Sequence, residues 1–129
     1  HPDAWYYYAC ALGRAKQHEA ALAAFTKVNG LEPQNLDGWL DHAQLLLELK
    51  GPEAALRKLQ EGAQVHQLNA RLKYRLAGYL LRAGHLQEGL LALEEALVSD
   101  YASHDQFLEN WPEAVQLPQV VHLLALYRQ

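Results

Sequence analysis

The residue types that most often act as enzymatic nucleophiles are scarce in this chain of 129 residues. Aliphatic hydroxyls occur only at Thr26, Ser99 and Ser103, and the single thiol is Cys10. A hydroxyl or thiol becomes a nucleophile when a neighbouring base removes its proton. No histidine stands at a local spacing that would activate Cys10, so we interpret it as a structural thiol. We therefore predict a protein that is not an enzyme.

The residues that could hold a metal or activate water are spread along the chain. Seven histidines stand at positions 1, 18, 42, 66, 85, 104 and 122, and none pairs with another at i and i+4. This spacing matches no zinc motif. The carboxylate pairs Glu94 with Glu95 and Glu109 with Glu113 are typical of helix surfaces, and a glycine-rich phosphate loop is missing. We predict no cofactor and no metal.

Charge and hydrophobicity limit the classes of partner that we expect for this chain. The formal net charge is −4, whereas nucleic acids and anionic membranes attract strongly positive surfaces. No run of apolar residues approaches the roughly 20 that a membrane helix needs. We expect a soluble protein, with the cytoplasm favoured and neither nucleic acid nor membrane as partner. Because the chain contains no methionine, we interpret it as a piece of a larger protein.

The elements that must position any binding residues are revealed by an internal repeat. Ala9, Ala43 and Ala77 are evenly spaced along the chain, with a period of about 34 residues, which is typical of arrays of helical hairpins. Leucines repeat at the same spacing in two further series, at 12, 46 and 80 and at 22, 56 and 90. A unit of this length cannot bury its apolar face alone, so copies must stack.

Apolar residues within each repeat recur at helical spacing, and Gly51 and Gly84 predict two of the turns. Asp37 is a candidate N-cap in the second repeat, and Asn69 is one in the third. His42 falls at a core position, where we expect a hydrogen-bonded packing residue. The predicted helices cover about 3–16, 18–29, 37–49, 52–65, 70–83, 86–98 and 118–128.

The repeat degrades after Asp100. Trp111 stands one period beyond Ala77, and Pro112 follows it. An indole cannot fit where helices approach closely, and proline breaks a helix. We interpret 103–129 as an interrupted cap that covers the last core face. Phe107 and Trp111 are either buried beneath the last helix or exposed as a surface for oligomerisation.

The chain resembles the tetratricopeptide repeat (TPR) family over about 100 residues, which is three periods. The family pattern of large, small and aromatic positions falls in the first repeat on Trp5, Tyr8, Ala9, Leu12, Ala21, Phe25, Val28 and Pro33. Departures include Val28, His42, Gln67, Lys73 and Tyr101. The resemblance implies an all-α, right-handed α-α superhelix of three hairpins, about 2–35, 36–69 and 70–102, with a degenerate capping helix pair. It also implies a non-catalytic scaffold for protein interactions.

In such arrays the first helix of each hairpin lines a concave groove that holds peptides. Four residues there, Tyr6, Leu40, Tyr74 and Leu81, are candidate exposed apolar anchors, and arginines beside them suit an acidic ligand. The alternative is a solvated helix face, or one that covers an extra helix of the same protein. The groove residues implied by the resemblance are Tyr6, Cys10, Arg14, Leu40, Asp41, Gln44, Leu47, Arg71, Tyr74, Arg75, Gly78 and Arg82.

One TPR subgroup binds the acidic C-terminal tails of heat-shock chaperones through a five-residue carboxylate clamp. Arg71 and Arg75 match two of its basic positions. Tyr6, Cys10 and Asp41 replace the other three, and Asp41 would repel a carboxylate. We therefore expect an unidentified protein or peptide partner rather than a chaperone tail. The alternatives are a self-associating structural module and an accessory domain of a larger enzyme.

Overall fold

Every regular element in the described part of the chain is helical. The computed structural model describes residues 2–128, with side chains from Ala4 onward. No described helix has the length and apolar character needed to cross a membrane. The α-helices are α1 (Pro2–Arg14), α2 (His18–Leu31), α3 (Leu36–Lys50), α4 (Pro52–Ala63), α5 (Ala70–Arg82), α6 (Leu86–Ser99), α7 (His104–Asn110) and α8 (Pro118–Leu126). Two 3-10 helices, Tyr101–Ser103 and Pro112–Gln116, flank α7.

The helices form two compact units. The first spans residues 1–67 and contains α1 to α4, and the second spans residues 68–129 and contains α5 to α8. Within them α1 packs on α2, α3 on α4 and α5 on α6 as helical hairpins. Gly51 and Gly84 have φ of +92° and +89° at the turns of the second and third hairpins. Left-handed backbone of this kind suits glycine, so the predicted turns are confirmed.

Two asparagines begin the first helix of the second and third hairpins. The amide N–H of Gly38 donates to Oδ1 of Asn35 at 3.2 Å, and that of Leu72 donates to Oδ1 of Asn69 at 3.2 Å. The prediction for Asn69 is confirmed. The prediction for Asp37 is wrong, because α3 begins one residue after Asn35 and Asp37 lies inside its first turn.

In the first unit, α2 packs on both α1 and α3. Ala9 and Ala21 are fully buried and allow α1 and α2 to approach closely. His42 of α3 is 3% exposed. Its imidazole stacks on Phe25 at a centroid distance of 5.6 Å, and its Nδ1 lies 2.7 Å from Oδ1 of Asn29. His42 is therefore a hydrogen-bonded core residue, as predicted.

Trp39 joins three segments of the same unit. Its indole Nε1 donates to the carbonyl oxygen of Pro33 at 2.9 Å, and Nε2 of His66 lies 3.0 Å from the same oxygen. The backbone of α4 reaches the ring at Gly62, where a Cβ atom would come within 2.9 Å of the Trp39 side chain. The absence of a side chain at Gly62 therefore sets how closely α4 packs on α3.

In the second unit, the C-terminal cap is interrupted at the predicted place. α7 ends at Asn110, Trp111 follows, and Pro112 begins a 3-10 helix. Phe107 is 4% exposed and lies in the core cluster, and the Trp111 ring packs against it at 6.1 Å. The prediction that Phe107 is buried, rather than exposed for oligomerisation, is therefore confirmed. Because α7 lies on α5, Trp111 also packs within the second unit.

Substitution of Gly62 by alanine should lower the free energy of unfolding by about 1–3 kcal/mol, since the new methyl group would overlap Trp39. Gly30→Ala is the matched control, because no atom lies within 4 Å of the place that its new methyl group would take. That helical substitution should raise stability by up to about 1 kcal/mol. Urea unfolding measures both values, and equal effects would contradict the close contact at Gly62.

His42 should make stability depend on pH. Burial lowers the pKa of its imidazole to about 4, from an unfolded value of about 6.5. Above pH ~6.5 both states are neutral and the contribution is complete. As the pH falls from ~6.5 to ~4, only the unfolded state gains a proton, so the free energy of unfolding should fall by about 3 kcal/mol.

Urea unfolding across this pH range tests the effect of His42. His42→Gln keeps a neutral polar group near Asn29 and should lose less stability between pH ~6.5 and ~4 than the original protein. His122→Gln, at an exposed position, should leave the pH dependence unchanged. Parallel curves for the original protein and His42→Gln would show that His42 is not the titrating group.

Candidate peptide-binding surface

The first part of the candidate surface lies where α1 and α3 meet in the first unit. The hydroxyl of Tyr6 donates to Oδ2 of Asp41 at 2.5 Å, and the Cys10 sulfur lies 3.9 Å from the same oxygen. Tyr6 and Cys10 stand one helical turn apart on α1, so both reach Asp41 from one face. The structure thus brings together three of the sequence-predicted groove residues.

Burial raises the pKa of both groups on α1. For Tyr6, the hydrogen bond to Asp41 adds to the effect of burial. For Cys10, the negative charge of Asp41 also raises the pKa of the thiol, after the larger effect of burial. The thiol therefore stays protonated at neutral pH, which makes it a poor nucleophile. This face presents hydrogen-bonding groups rather than a reactive centre.

The other groove residues predicted in this unit differ in accessibility. Arg14 is exposed, and Leu47 is half-buried. Gln44 is half-buried and donates to Oε1 of Glu48 at 3.2 Å. Leu40 is only 1% exposed, so the expectation that it is an exposed anchor is wrong.

The expected apolar anchors of α5 are also core residues. Tyr74 is 5% exposed, its hydroxyl donates to the carbonyl oxygen of Asp100 at 2.6 Å, and its ring lies 5.7 Å from that of Phe107. Leu81 belongs to the same core cluster and is 9% exposed. The expectation that both side chains are free to hold a ligand is therefore wrong, because the unit's own packing uses them.

The cap covers the same stretch of α5. A Cβ atom at Gly78 would lie 3.6 Å from Phe107 and 3.9 Å from Trp111. The guanidinium of Arg82 lies 4.8 Å from the centre of the Trp111 ring, and its Nη2 donates to the carbonyl oxygen of Asn110 at 3.4 Å. Around Gly78, this face of α5 therefore covers another helix of the same protein, which was the alternative to a peptide-binding face.

Two arginines of α5 keep unused hydrogen-bond donors. Nη1 of Arg75 and Nε of Arg82 are both buried and have no acceptor among the described residues. Burial lowers the pKa of Arg82, and the positive charge of Arg75 lowers it further. Arg71, one turn before Arg75, is exposed. Buried donors without an acceptor are costly, which makes these two guanidinium groups candidates for pairing with an anionic group.

The sequence did not lead us to predict that residues of the cap contact Arg82. Trp111 and Asn110 hold Arg82 although they lie almost one period further along the chain. The available signal was the repeat itself, since α7 follows α5 by one period and should pack beside it. The irregularity at Trp111 and Pro112 hid this relation.

Tyr74 should behave as a core residue. Tyr74→Ala should lower the free energy of unfolding by about 3–5 kcal/mol because it leaves a cavity. Tyr74→Phe removes only the bond to Asp100 and should cost about 1 kcal/mol. Tyr7→Ala is the control, since Tyr7 is 66% exposed. If thermal or urea unfolding gave Tyr74→Ala an effect as small as that of Tyr7→Ala, Tyr74 would not be a core residue.

Comparison with solved structures identifies the fold. No protein-family model matches the chain, and no curated protein matches it by sequence. MamA, a TPR-repeat protein, is similar in structure. "MamA 41-end from Desulfovibrio magneticus RS-1" has a TM-score of 0.63 and 22% identity, with 100% of this chain and 78% of that chain covered.

A second structure, the "MamA RS-1 ArsTM double mutant", has a TM-score of 0.63 and 22% identity and covers 99% of this chain and 78% of that chain. Both similarities extend over the three hairpins and the cap. The chain therefore has an all-α, tetratricopeptide-repeat-like fold, as its sequence predicts.

Proposed function

We propose that this chain is a non-catalytic protein-interaction module that binds an acidic peptide segment, with Arg75 and Arg82 receiving a carboxylate. The observation that carries the proposal is the pair of buried guanidinium donors on α5 that lack an acceptor among the described residues. A carboxylate would accept from both guanidinium groups and would offset the repulsion between them.

The spacing of the two arginines supports a shared ligand. Arg75 and Arg82 are seven residues apart, so they lie on one face of α5 and about 10 Å apart along its axis. The Trp111 ring and the Asn110 carbonyl hold Arg82 in place. A side chain already fixed loses little entropy when a ligand arrives, which favours binding.

The face formed by α1 and α3 is a separate candidate surface of the first unit, suited to the main chain of a peptide. Asp41 is half-exposed, and Tyr6 and Cys10 both approach its Oδ2. Its other carboxylate oxygen could accept from a peptide N–H, while Leu47 and Arg14 offer an apolar contact and a charge. A protonated Cys10 supports a non-catalytic role for this face. A groove continuous over all three repeats, and a cytoplasmic location, stay predictions.

Selection from a phage-displayed peptide library tests the proposal. We expect the bound peptides to share an acidic residue, and Arg75→Gln to weaken their binding by about 10- to 100-fold, the effect of losing a charged hydrogen bond of about 1.5–3 kcal/mol. Because the free protein has no acceptor for this donor among the residues that the structure describes, the melting temperature of Arg75→Gln should be unchanged or higher.

Arg57→Gln is the matched control, since Arg57 is an exposed arginine of α4. It removes the same charge and should leave the affinity unchanged, as fluorescence anisotropy with a selected peptide would show. Selected peptides without acidic residues would contradict the proposal. So would equal losses of affinity for Arg75→Gln and Arg57→Gln, which would indicate only a general charge effect.

A further inference from the structure

The repeat supplies an internal reference for the corner of each hairpin at which its second helix ends. Glu32 and Asp100 are the C-cap residues of α2 and α6, and they stand two periods apart. Each backbone N–H donates to the carbonyl oxygen four residues earlier, at 2.7 Å for Glu32 and 2.8 Å for Asp100. The first corner, around Glu32, and the third corner, around Asp100, can therefore be compared position by position.

In the third corner, side chains of the same unit bind Asp100. The hydroxyl of Tyr74 donates to its carbonyl oxygen at 2.6 Å, and Oγ of Ser103 donates to its Oδ2 at 2.5 Å. Tyr74 is 5% exposed and belongs to one core cluster with Ala96 and Leu97 of α6. The chain itself therefore fills the third corner and satisfies its carboxylate.

The residues at the positions of that tyrosine and that serine have other partners in the first corner. Tyr6 stands two periods before the tyrosine, and its hydroxyl donates to Asp41. Asn35 stands two periods before the serine, and its Oδ1 accepts from the N–H of Gly38. Oε2 of Glu32 is buried and has no donor among the described residues. The first corner therefore keeps a buried carboxylate oxygen without a hydrogen bond, which is costly.

An open cavity of about 640 Å³ lies at the first corner. The carboxylates of Glu32 and Asp37 are part of its wall, and none of the described residues that line it is basic. The rings of Tyr6 and Tyr7, in edge-to-face contact at 5.5 Å, form another part of the wall. The described residues hold no group of three side chains that suits a metal ion. The cavity therefore fits an organic cation, which pairs with carboxylates and stacks on aromatic rings.

We propose that the first corner binds an arginine side chain of a protein partner, with the guanidinium group donating to Oε2 of Glu32. Arginine suits this cavity better than a compact ammonium group, because a planar guanidinium donates in several directions and stacks on aromatic rings. Asp37 adds a second negative charge, and the rings of Tyr6 and Tyr7 offer the stacking surface. The site lies in the first unit, so the proposal does not depend on binding of an acidic peptide.

N-acetylarginine methylamide tests the proposal, since its guanidinium group is its only charge. Titrated into the isotope-labelled full chain, it should cause a saturable NMR shift of the side-chain carboxyl signal of Glu32 and of the backbone amide signal of Asn35. N-acetylcitrulline methylamide has a similar shape without the charge. It should bind at least about tenfold more weakly, the loss expected when a neutral group replaces a charged hydrogen-bond donor.

A matched pair of variants tests the role of the carboxylate. Glu32→Gln should weaken binding of the arginine probe by about tenfold or more, as read from the Asn35 amide signal. Because Oε2 has no donor among the residues that the structure describes, the melting temperature of this variant should be unchanged or higher. Glu19→Gln is the control, since Glu19 is an exposed acidic residue at the start of α2. It removes the same charge and should leave the affinity unchanged, as should Arg75→Gln.

Three results would overturn the proposal: no saturable shift of the Glu32 signal, equal affinities for the arginine and citrulline probes, or equal losses of affinity for Glu32→Gln and Glu19→Gln. A lower melting temperature of Glu32→Gln would also contradict it, because the carboxylate would then be paired in the free protein. Free arginine separates a protein side chain from a small molecule. Its α-carboxylate should be repelled by Glu32 and Asp37, so tighter binding of free arginine than of the blocked probe would refute a protein partner.

Discussion

Close approach of helices at positions with small side chains is the constraint on which this structure depends. Ala9, Ala43 and Ala77 recur once in each repeat and are all fully buried. Where α4 meets Trp39, even one methyl group at Gly62 would be too large. Larger side chains at these positions would separate the helices of each hairpin and expose the leucine core, at a cost of about 25 cal/mol for each Å² of apolar surface. The alanines and glycines at these positions therefore specify how closely the helices pack, and the positions that vary between repeats are left for binding.

The cap begins where the series of buried alanines ends. Trp111 stands where the next alanine would be, and α7 stops one residue before it. The displaced indole packs on Phe107 and carries the guanidinium of Arg82 on its face. A break in the repeat thus closes the core of the second unit and fixes one of the two arginines at the candidate site. Phe107 of α7 also takes Tyr74 out of the candidate surface, and Leu81 is packed in the same core cluster, next to Gly89 of α6.

Most of the fold could be predicted from the sequence, because periodicity and turn residues are local signals. The helices, the turns at Gly51 and Gly84, the cap at Asn69 and the core role of His42 all follow from them. Asn35 was missed in favour of Asp37, although it stands one period before Asn69 and the repeat could have identified it. The burial of Leu40, Tyr74 and Leu81 could not be predicted in this way. It depends on contacts such as that of Tyr74 with Phe107, which lie far apart in the chain and depend on the path of the interrupted cap.

We propose that Arg75 and Arg82 form one site for a carboxylate. Titration with a pentaglutamate peptide, followed through the Nε–Hε signals of the arginine side chains by NMR, tests it most directly. We expect a saturable shift of the Arg82 signal that is lost in Arg75→Gln, with the Arg57 signal unmoved and pentaglutamine without effect. An Arg82 signal that stays in place, or one that moves no more than the Arg57 signal, would contradict the account.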